Sequence, residues 1–165
     1  MPAIRSIAIK PEGTPSRPAD RFARIAVQQA TLVAGQGLEG DRKGSGGDRQ
    51  LNIMCMATLV EMQKAGCRID PGEMGEQIVL DDIVIESLPN GAMLRVEGGA
   101  LIEVVQLRTP CSRFERIQNV TIKDAWGRVG VMARVVRGGP IRIGDSVSVV
   151  DIDRDKKSLP IEAAG

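Results

Sequence analysis

Short segments along the chain alternate apolar and polar residues with a period of two, which is the pattern of half-buried β-strands. Residues 51–56 instead form an apolar run that only Asn52 interrupts, which predicts a buried strand. The alternating segments are residues 4–10, 24–33, 83–88, 92–96, 101–107, 129–136 and 141–150. This pattern predicts a mainly β protein.

Glycine and proline mark the connections between these segments. The motifs Pro-Asn-Gly at residues 89–91 and Gly-Gly at 98–99 predict two hairpins within residues 83–107. Gly-Gly-Pro at residues 138–140 predicts a turn between the last two strands, and three prolines in residues 11–20 predict a surface loop. The strands are therefore expected to be short and joined mostly by tight turns.

Helical signals are few. Residues 57–65 consist of helix-forming residues and end at Gly66, so one short helix is predicted there. Many short strands with one or two helices favour a closed or nearly closed β-barrel, because closure removes exposed strand edges. We find no internal repeat and expect one domain over residues 1–165, with a polar tail at 151–165.

Composition narrows the possible functions. The 165 residues carry a net charge of +1, so no overall field favours nucleic acid or an anionic membrane. The chain has no histidine and no tyrosine, which excludes Ser-His-Asp triads, Cys-His dyads and His-ligated zinc. Three aromatic residues are too few for a nucleic-acid stacking platform. No apolar run approaches the roughly 20 residues of a membrane span, so we expect a cytoplasmic protein.

Three cysteines are present, and they form neither a disulfide framework nor a C-x-x-C zinc motif. Cys55 lies inside an apolar run and Cys67 follows a helix-ending glycine, so both are expected to pack as inert core residues. Cys111 follows Arg-Thr-Pro, and Ser112 and Glu115 have the S-x-x-E spacing of a capping box. A helix is therefore predicted to begin just after Cys111.

A cysteine in that position is a candidate for reactivity. The positive end of the helix and the flanking Arg108 and Arg113 favour thiolate over thiol. A thiolate attacks electrophiles, carries sulfane sulfur or ligates a soft metal. Cys111 is thus the candidate catalytic and metal-ligating residue.

Residues 35–50 contain six glycines together with Arg42, Lys43 and Arg49. Glycine lets backbone N–H groups approach an anion, and the cations neutralise it, so this segment is either a phosphate-binding loop or a solvated mobile loop. The G-x-G-x-x-G spacing at residues 35–40 is not followed by a helix start, which argues against a dinucleotide site.

Two further groups of charges are expected to be solvated. Residues 71–76 form a turn with two carboxylates, Glu73 and Glu76, for which a solvated turn is the preferred interpretation. Near the end of the chain, four cations are expected mainly on an outward face: Arg128, Arg134, Arg137 and Arg142.

Taken together, five motifs in this order resemble the MOSC domain family, the molybdenum cofactor sulfurase C-terminal domain. They are Gly40-Asp41-Arg42, Arg49-Gln50, Pro71-Gly72-Glu73-Met74-Gly75-Glu76, Arg108-Thr109-Pro110-Cys111 and Gly138-Gly139-Pro140-Ile141-Arg142-Ile143-Gly144-Asp145. The resemblance spans about residues 35–149. It implies a β-barrel-like fold with a few short helices and a site around Cys111.

The resemblance also implies a cofactor. In relatives such as the amidoxime-reducing proteins, the cysteine that matches Cys111 ligates molybdenum in a pterin cofactor. In sulfurases the domain receives sulfur from a separate pyridoxal-phosphate domain, for which this chain has no room. The residues implied to bind the cofactor are Arg42, Arg49, Glu76, Arg108, Thr109 and Arg113. Two positions that bear on proton delivery and cofactor affinity depart from the family pattern: Lys43 replaces a frequent His, and Gln77 a frequent Asn.

Three functions follow from these patterns. The first is a molybdenum-cofactor protein that uses Cys111 as metal ligand and reduces an N-hydroxylated substrate with electrons from an external donor protein, since the chain has no flavin or iron–sulfur motif. The second is a persulfide carrier or sulfurtransferase that takes sulfur from a donor protein. The third is a non-catalytic module that binds a phosphorylated ligand. None of them involves nucleic acid or a membrane.

Overall fold

The computed structural model describes residues 1–13, 18, 20–41 and 50–150, and they form a mainly β fold, as predicted. The described strands are β1 (Ala3–Ile9), β2 (Ile25–Val27), β3 (Gln29–Val33), β4 (Gly37–Leu38), β5 (Leu51–Cys55), β6 (Ile78–Asp81), β7 (Met93–Val96), β8 (Leu101–Leu107), β9 (Val131–Arg137), β10 (Gly139–Arg142) and β11 (Val147–Val150). The described helices are α1 (Met56–Lys64), α2 (Ser112–Gln118) and α3 (Ile122–Ala125). None of them is long and apolar enough to span a membrane.

The strands form two sheets. The larger has the order β11-β7-β8-β9-β5-β6-β1-β2, and the smaller has the order β10-β3-β4. All pairs are antiparallel except β5 and β6, which are parallel and are joined through α1. A parallel pair needs such a crossover, which explains why the helix predicted at residues 57–65 lies at this point of the chain.

The sheets are not closed, so the expected closed barrel is only an approximate description. β2 and β11 are the two edges of the larger sheet. The sheet curves far enough that the Ile4 N–H donates to the Asp145 carbonyl and the Val147 N–H to the Pro2 carbonyl, both at 2.9 Å. A single bridge, between Ala3 and Ser146, accompanies these bonds, and the pairing does not extend into a ladder.

Two apolar cores lie on opposite sides of β5. Ile53 and Cys55 face the core enclosed by the sheets, whereas Met54 faces a second core under α1 and α2 that includes Met74 and Phe114. All five residues of β5 are buried because the strand is covered on both faces. This explains the largely apolar run and confirms the predicted buried strand.

Several predicted elements were wrong in detail. Residues 83–88 are not a strand, because Ile85–Ser87 form a 3₁₀ turn in which the Ser87 N–H and hydroxyl both donate to the Val84 carbonyl. Only one of the two expected hairpins therefore forms, between β7 and β8. The strand predicted at 24–33 divides at Gln28 between the two sheets, and β6 was not predicted.

The last part of the chain also differs from its pattern. Residues 138–140 do not turn between two paired strands. Instead, Gly139 and Pro140 begin β10, which pairs with β3 in the smaller sheet. The predicted strand at 141–150 is divided between the two sheets by a turn in which the Asp145 carboxylate accepts a bond from the Arg142 N–H. The predicted polar tail at 151–165 lies outside the described residues.

Gly130 is a backbone position that only glycine fits. It has a φ of +82°, and a Cβ there would lie 2.1 Å from the Ile53 carbonyl oxygen. We expect Gly130→Ala to lower the free energy of unfolding by about 3 kcal/mol or more, since overlap adds to backbone strain. Urea unfolding followed by circular dichroism measures the change.

The matched control is Gly127→Ala. Gly127 has a similar φ of +76° but open space around its Cβ position. Gly127→Ala should lower the free energy of unfolding by about 1 kcal/mol, which is the backbone strain alone. Equal losses for the two variants would mean that the approach of Gly130 to β5 does not limit the fold.

Candidate functional site

Cys111 is exposed and lies immediately before α2. Its backbone is extended, with φ −119° and ψ 175°, and its carbonyl accepts the Glu115 N–H at 3.0 Å. The predicted helix start is therefore confirmed. The predicted capping box is wrong, because Ser112 is already inside the helix and the Glu115 carboxylate accepts the Ile122 N–H of α3 instead.

Arg108 provides a fixed cation three residues before Cys111. Its guanidinium carbon lies 6.0 Å from the ring centre of Phe22 and 5.7 Å from that of Phe114. Burial lowers the pKa of Arg108, the charge of Glu76 raises it, that of Arg24 lowers it and that of Cys111 raises it, so that the resulting pKa is about 10. Arg108 therefore stays protonated at neutral pH.

Glu76 is the carboxyl group that accompanies this cation. Its side chain is buried and accepts bonds from the Gly72 N–H at 3.0 Å and the Met74 N–H at 3.1 Å. Burial raises the pKa of Glu76, whereas the backbone donors and Arg108 lower it. The expectation of a turn with two solvated acids was wrong for Glu76, because its carboxylate fills the inside of the turn; Glu73 lies toward the surface, 3.6 Å from Arg68.

Gly75 lets Arg108 and Phe22 approach the turn. A Cβ at Gly75 would lie 2.9 Å from Arg108 Nη2 and 3.0 Å from the Phe22 ring, and its φ is +82°. Its carbonyl accepts bonds from Arg24 Nε at 3.2 Å and Asn52 Nδ2 at 3.1 Å. The glycine is therefore required both for its backbone conformation and for the space beside it.

A buried polar network holds this turn in place. The Asp41 carboxylate accepts bonds from the Lys10 N–H at 2.7 Å, Arg24 Nη1 at 3.0 Å and Gln77 Nε2 at 2.8 Å. Gln77 Oε1 in turn accepts the Asn52 N–H at 2.6 Å. Gln77 is fully buried, so this departure from the family pattern is part of the internal framework.

Sequence reasoning missed the roles of Asp41, Arg24 and Gln77. Asp41 and Gln77 stand within or beside the motifs that carry the resemblance, which was a usable signal. Arg24 has no such signal. It lies in a segment of alternating pattern, and only the fold brings it to Asp41.

The other implied cofactor-binding residues are distributed as follows. Arg113 Nη2 donates to the carbonyls of Pro18 and Arg21, both at 3.1 Å, and its guanidinium lies 5.0 Å from the ring centre of Phe22. It therefore fastens the segment that carries Phe22. Thr109 is exposed beside Cys111. Arg42 and Arg49, like Lys43, lie outside the described residues.

The remaining cysteines and cations mostly follow expectation. Cys55 and Cys67 are buried, and burial raises the pKa of the Cys67 thiol. Of the four cations near the end of the chain, three are exposed and Arg137 is half-buried. Arg134 forms an ion pair with Glu103.

The donor set determines which metal could fit. Within the described ranges no group of three or more His, Cys, Asp or Glu residues could hold a bare metal ion. Cys111 offers one exposed soft ligand. This fits a metal that arrives with ligands of its own on an organic cofactor and needs a single protein thiolate.

The chain was compared with known proteins. The MOSC domain model matches residues 40–148. YuaD from Bacillus subtilis superposes with a TM-score of 0.73 at 18% identity, over 90% of this chain and 96% of YuaD. YiiM from Geobacillus stearothermophilus gives 0.70 at 21% identity, over 92% and 76% of the two chains, and YiiM from Escherichia coli gives 0.65 at 21% identity, over 90% and 70%. No curated protein matches the sequence.

The exposure of the cysteines predicts selective alkylation. In the native protein, iodoacetamide should modify Cys111 on the order of 100-fold faster than Cys55 or Cys67, because the buried thiols react only after local opening. Peptide mass mapping after timed quenching gives the three rates. Native Cys111→Ser should be labelled only at the slow rate of the two buried thiols, and labelling of Cys67 at the rate of Cys111 would contradict the buried second core.

The burial of Glu76 predicts a pH dependence of stability. A carboxyl whose pKa is raised on folding stabilises the protein fully below its ordinary value of 4.5, and this stabilisation is lost as the pH rises through the folded value. Relative to Glu76→Gln, wild type should thus lose about 1.4 kcal/mol of unfolding free energy per pH unit above 4.5 until that value is passed. Urea unfolding of both proteins between pH 4 and 7 measures the difference in unfolding free energy. If wild type instead gains stability relative to Glu76→Gln as the pH rises, the backbone donors and Arg108 outweigh burial.

Proposed function

Because the chain belongs to the MOSC domain family, which is linked to molybdenum cofactor-related proteins, we propose that it binds a molybdenum-pterin cofactor with Cys111 as metal ligand. We further propose that it is an oxidoreductase for N-hydroxylated substrates. The observation that carries the proposal is the exposed Cys111 thiol beside the fixed cation Arg108.

Cys111 has the position that a ligand requires. The thiol is exposed while the backbone around it is fixed: Pro110 is buried, and the Cys111 carbonyl is bonded to the first turn of α2. A thiolate in such a position binds a soft metal without reorganising the chain.

Arg108 contributes charge that does not vary near neutral pH. With its pKa of about 10 it remains a cation at neutral pH. In the proposal it balances the negative charge of the thiolate and of the cofactor, and Glu76 orients it from inside the 71–76 turn.

Of the remaining implied residues, three bind the periphery of the cofactor in this proposal and Arg113 acts indirectly. Thr109 supplies a hydroxyl beside Cys111. Arg42 and Arg49 pair with the phosphate, as the glycine-rich composition of residues 35–50 suggests. Arg113 acts through Phe22, which it fastens against Arg108.

The reaction is the two-electron reduction of R–NHOH with two protons to R–NH2 and water, in which the N–O bond breaks. The cofactor, when bound, supplies the metal centre that exchanges electrons with the substrate. The exposure of Cys111 lets solvent water deliver protons there, so the absence of histidine from the chain is no obstacle. The electrons come from an external donor protein, and the free thiol suits the reducing cytoplasm.

Sulfur transfer is the second candidate, and the exposure of Cys111 also favours it. A persulfide on Cys111 Sγ would be reached by both a donor and an acceptor. Treatment with a cysteine desulfurase and cysteine, followed by a sulfane-sulfur assay, distinguishes this function from the first.

Metal content tests the proposal. The protein is produced in a host that makes molybdenum cofactor and purified without air, and molybdenum per chain is determined. We expect nearly one atom per chain for wild type and more than a tenfold loss for Cys111→Ser, because a hydroxyl is a poor ligand for a soft metal.

The control variant is Ser112→Ala, which changes an exposed side chain next to Cys111 and should retain the metal. If wild type contains neither molybdenum nor pterin, the cofactor proposal is wrong. Sulfane sulfur on Cys111 after desulfurase treatment would then support sulfur transfer.

A further inference from the structure

The chain leaves α3 through a tight turn that carries its only tryptophan. Trp126 has φ −60° and ψ 128°, Gly127 has φ +76°, and the Arg128 N–H donates to the Ala125 carbonyl at 3.0 Å. These values define a type II turn, which requires the glycine. Ala125 and Val129 on either side are fully buried. The turn is therefore fixed at both ends while its tip projects.

The side chains of Trp126 and Arg128 in this turn are exposed. Trp126 is 60% exposed. Throughout the described ranges the Trp126 ring makes no aromatic, cation–π or hydrogen-bond contact, and the Arg128 guanidinium makes no hydrogen bond or ion pair. Tryptophan and arginine are the side chains that most often dominate protein interfaces, and a fixed turn loses little entropy on binding.

This turn lies at the same end of the β8–β9 pair as Cys111. Leu107 pairs with Val131, and the next backbone bond runs from the Arg108 N–H to the Gly130 carbonyl at 3.0 Å. Beyond that bond, the chain enters α2 through Cys111 and leaves α3 through Trp126. The segments that bear the thiol and the tryptophan therefore leave the sheet side by side.

Charge is unevenly distributed in favour of this region. Residues 107–130 contain five cations and two carboxylates, and because Arg108 is buried, the remaining charges sum to +2. The residues outside this segment sum to −2. Such a local excess attracts a negatively charged surface and increases the rate of its association.

We propose that Trp126 and Arg128 form the docking surface for an acidic redox protein that delivers electrons to the Cys111 site. This inference rests on the proposed reductase function, which requires an external donor. Trp126 provides the apolar anchor, Arg128 pairs with a carboxylate of the donor, and the local positive charge steers the encounter.

A plant-type [2Fe–2S] ferredoxin serves as the acidic probe. Calorimetric titration of the full-length protein at low salt should show binding that weakens at least tenfold in 0.3 M salt, since exposed charges are then screened. Trp126 emission should be quenched on binding, and it is easily assigned because the chain has one tryptophan and no tyrosine.

Charge reversal and truncation locate the surface. Arg128→Glu should weaken ferredoxin binding about tenfold, and Trp126→Ala should weaken it to a similar extent. The matched controls are Arg95→Glu on β7 and Val149→Ala on β11, which change exposed side chains elsewhere and should alter the affinity less than about twofold. Equal weakening by Arg128→Glu and Arg95→Glu, or no salt-sensitive binding by wild type, would overturn the proposal.

Two further measurements separate this inference from the reductase function. Ferredoxin binding should persist in Cys111→Ser, so loss of molybdenum from that variant leaves the docking result intact. With dithionite as reductant, Arg128→Glu and Trp126→Ala should keep wild-type turnover of an N-hydroxylated substrate. A raised KM for that substrate with dithionite would show that the turn binds substrate, and the docking surface would be rejected.

Discussion

The site is built around one buried carboxylate that requires several donors. Asp41 is shielded from water, and an isolated charge there would be costly. Its three donors come from Lys10, Arg24 and Gln77, which lie in separate parts of the chain. The hydrogen bond from Arg24 Nη1 to Asp41 fixes the Arg24 side chain. Arg24 Nε then donates a hydrogen bond to the Gly75 carbonyl.

From Gly75 the constraint extends to the exposed thiol. The glycine leaves room for Arg108 and Phe22, and the aromatic rings and Glu76 hold the Arg108 guanidinium. Arg108 is bonded through its own backbone to Gly130, so the loop that ends at Cys111 cannot move independently of β9. A thiol on the surface is thus positioned by groups that water does not reach.

Local patterns predicted the parts of this arrangement that depend on local interactions. The break at Pro110 located the helix after Cys111, and the apolar run at 51–56 located β5. The same patterns failed where contacts with residues far away in the sequence determine the structure. Residues 83–88 alternate like a strand but bond within a 3₁₀ turn, and Glu76 looks like a solvated turn residue until the fold encloses it. Arg24 could not be assigned a role because Asp41, its partner, is 17 residues away.

The pairing of β1 has a consequence for synthesis of the chain on the ribosome. β1 bonds to β6, to β2 and, near its start, to residues 144–147. The first strand of this domain therefore acquires its last partners only when almost the whole domain has been translated. Until then its apolar face, with Ile4 and Ile7, has no complete core to enter. The surroundings of β1 are thus completed late in synthesis, and until then part of its apolar face stays open to non-native contacts.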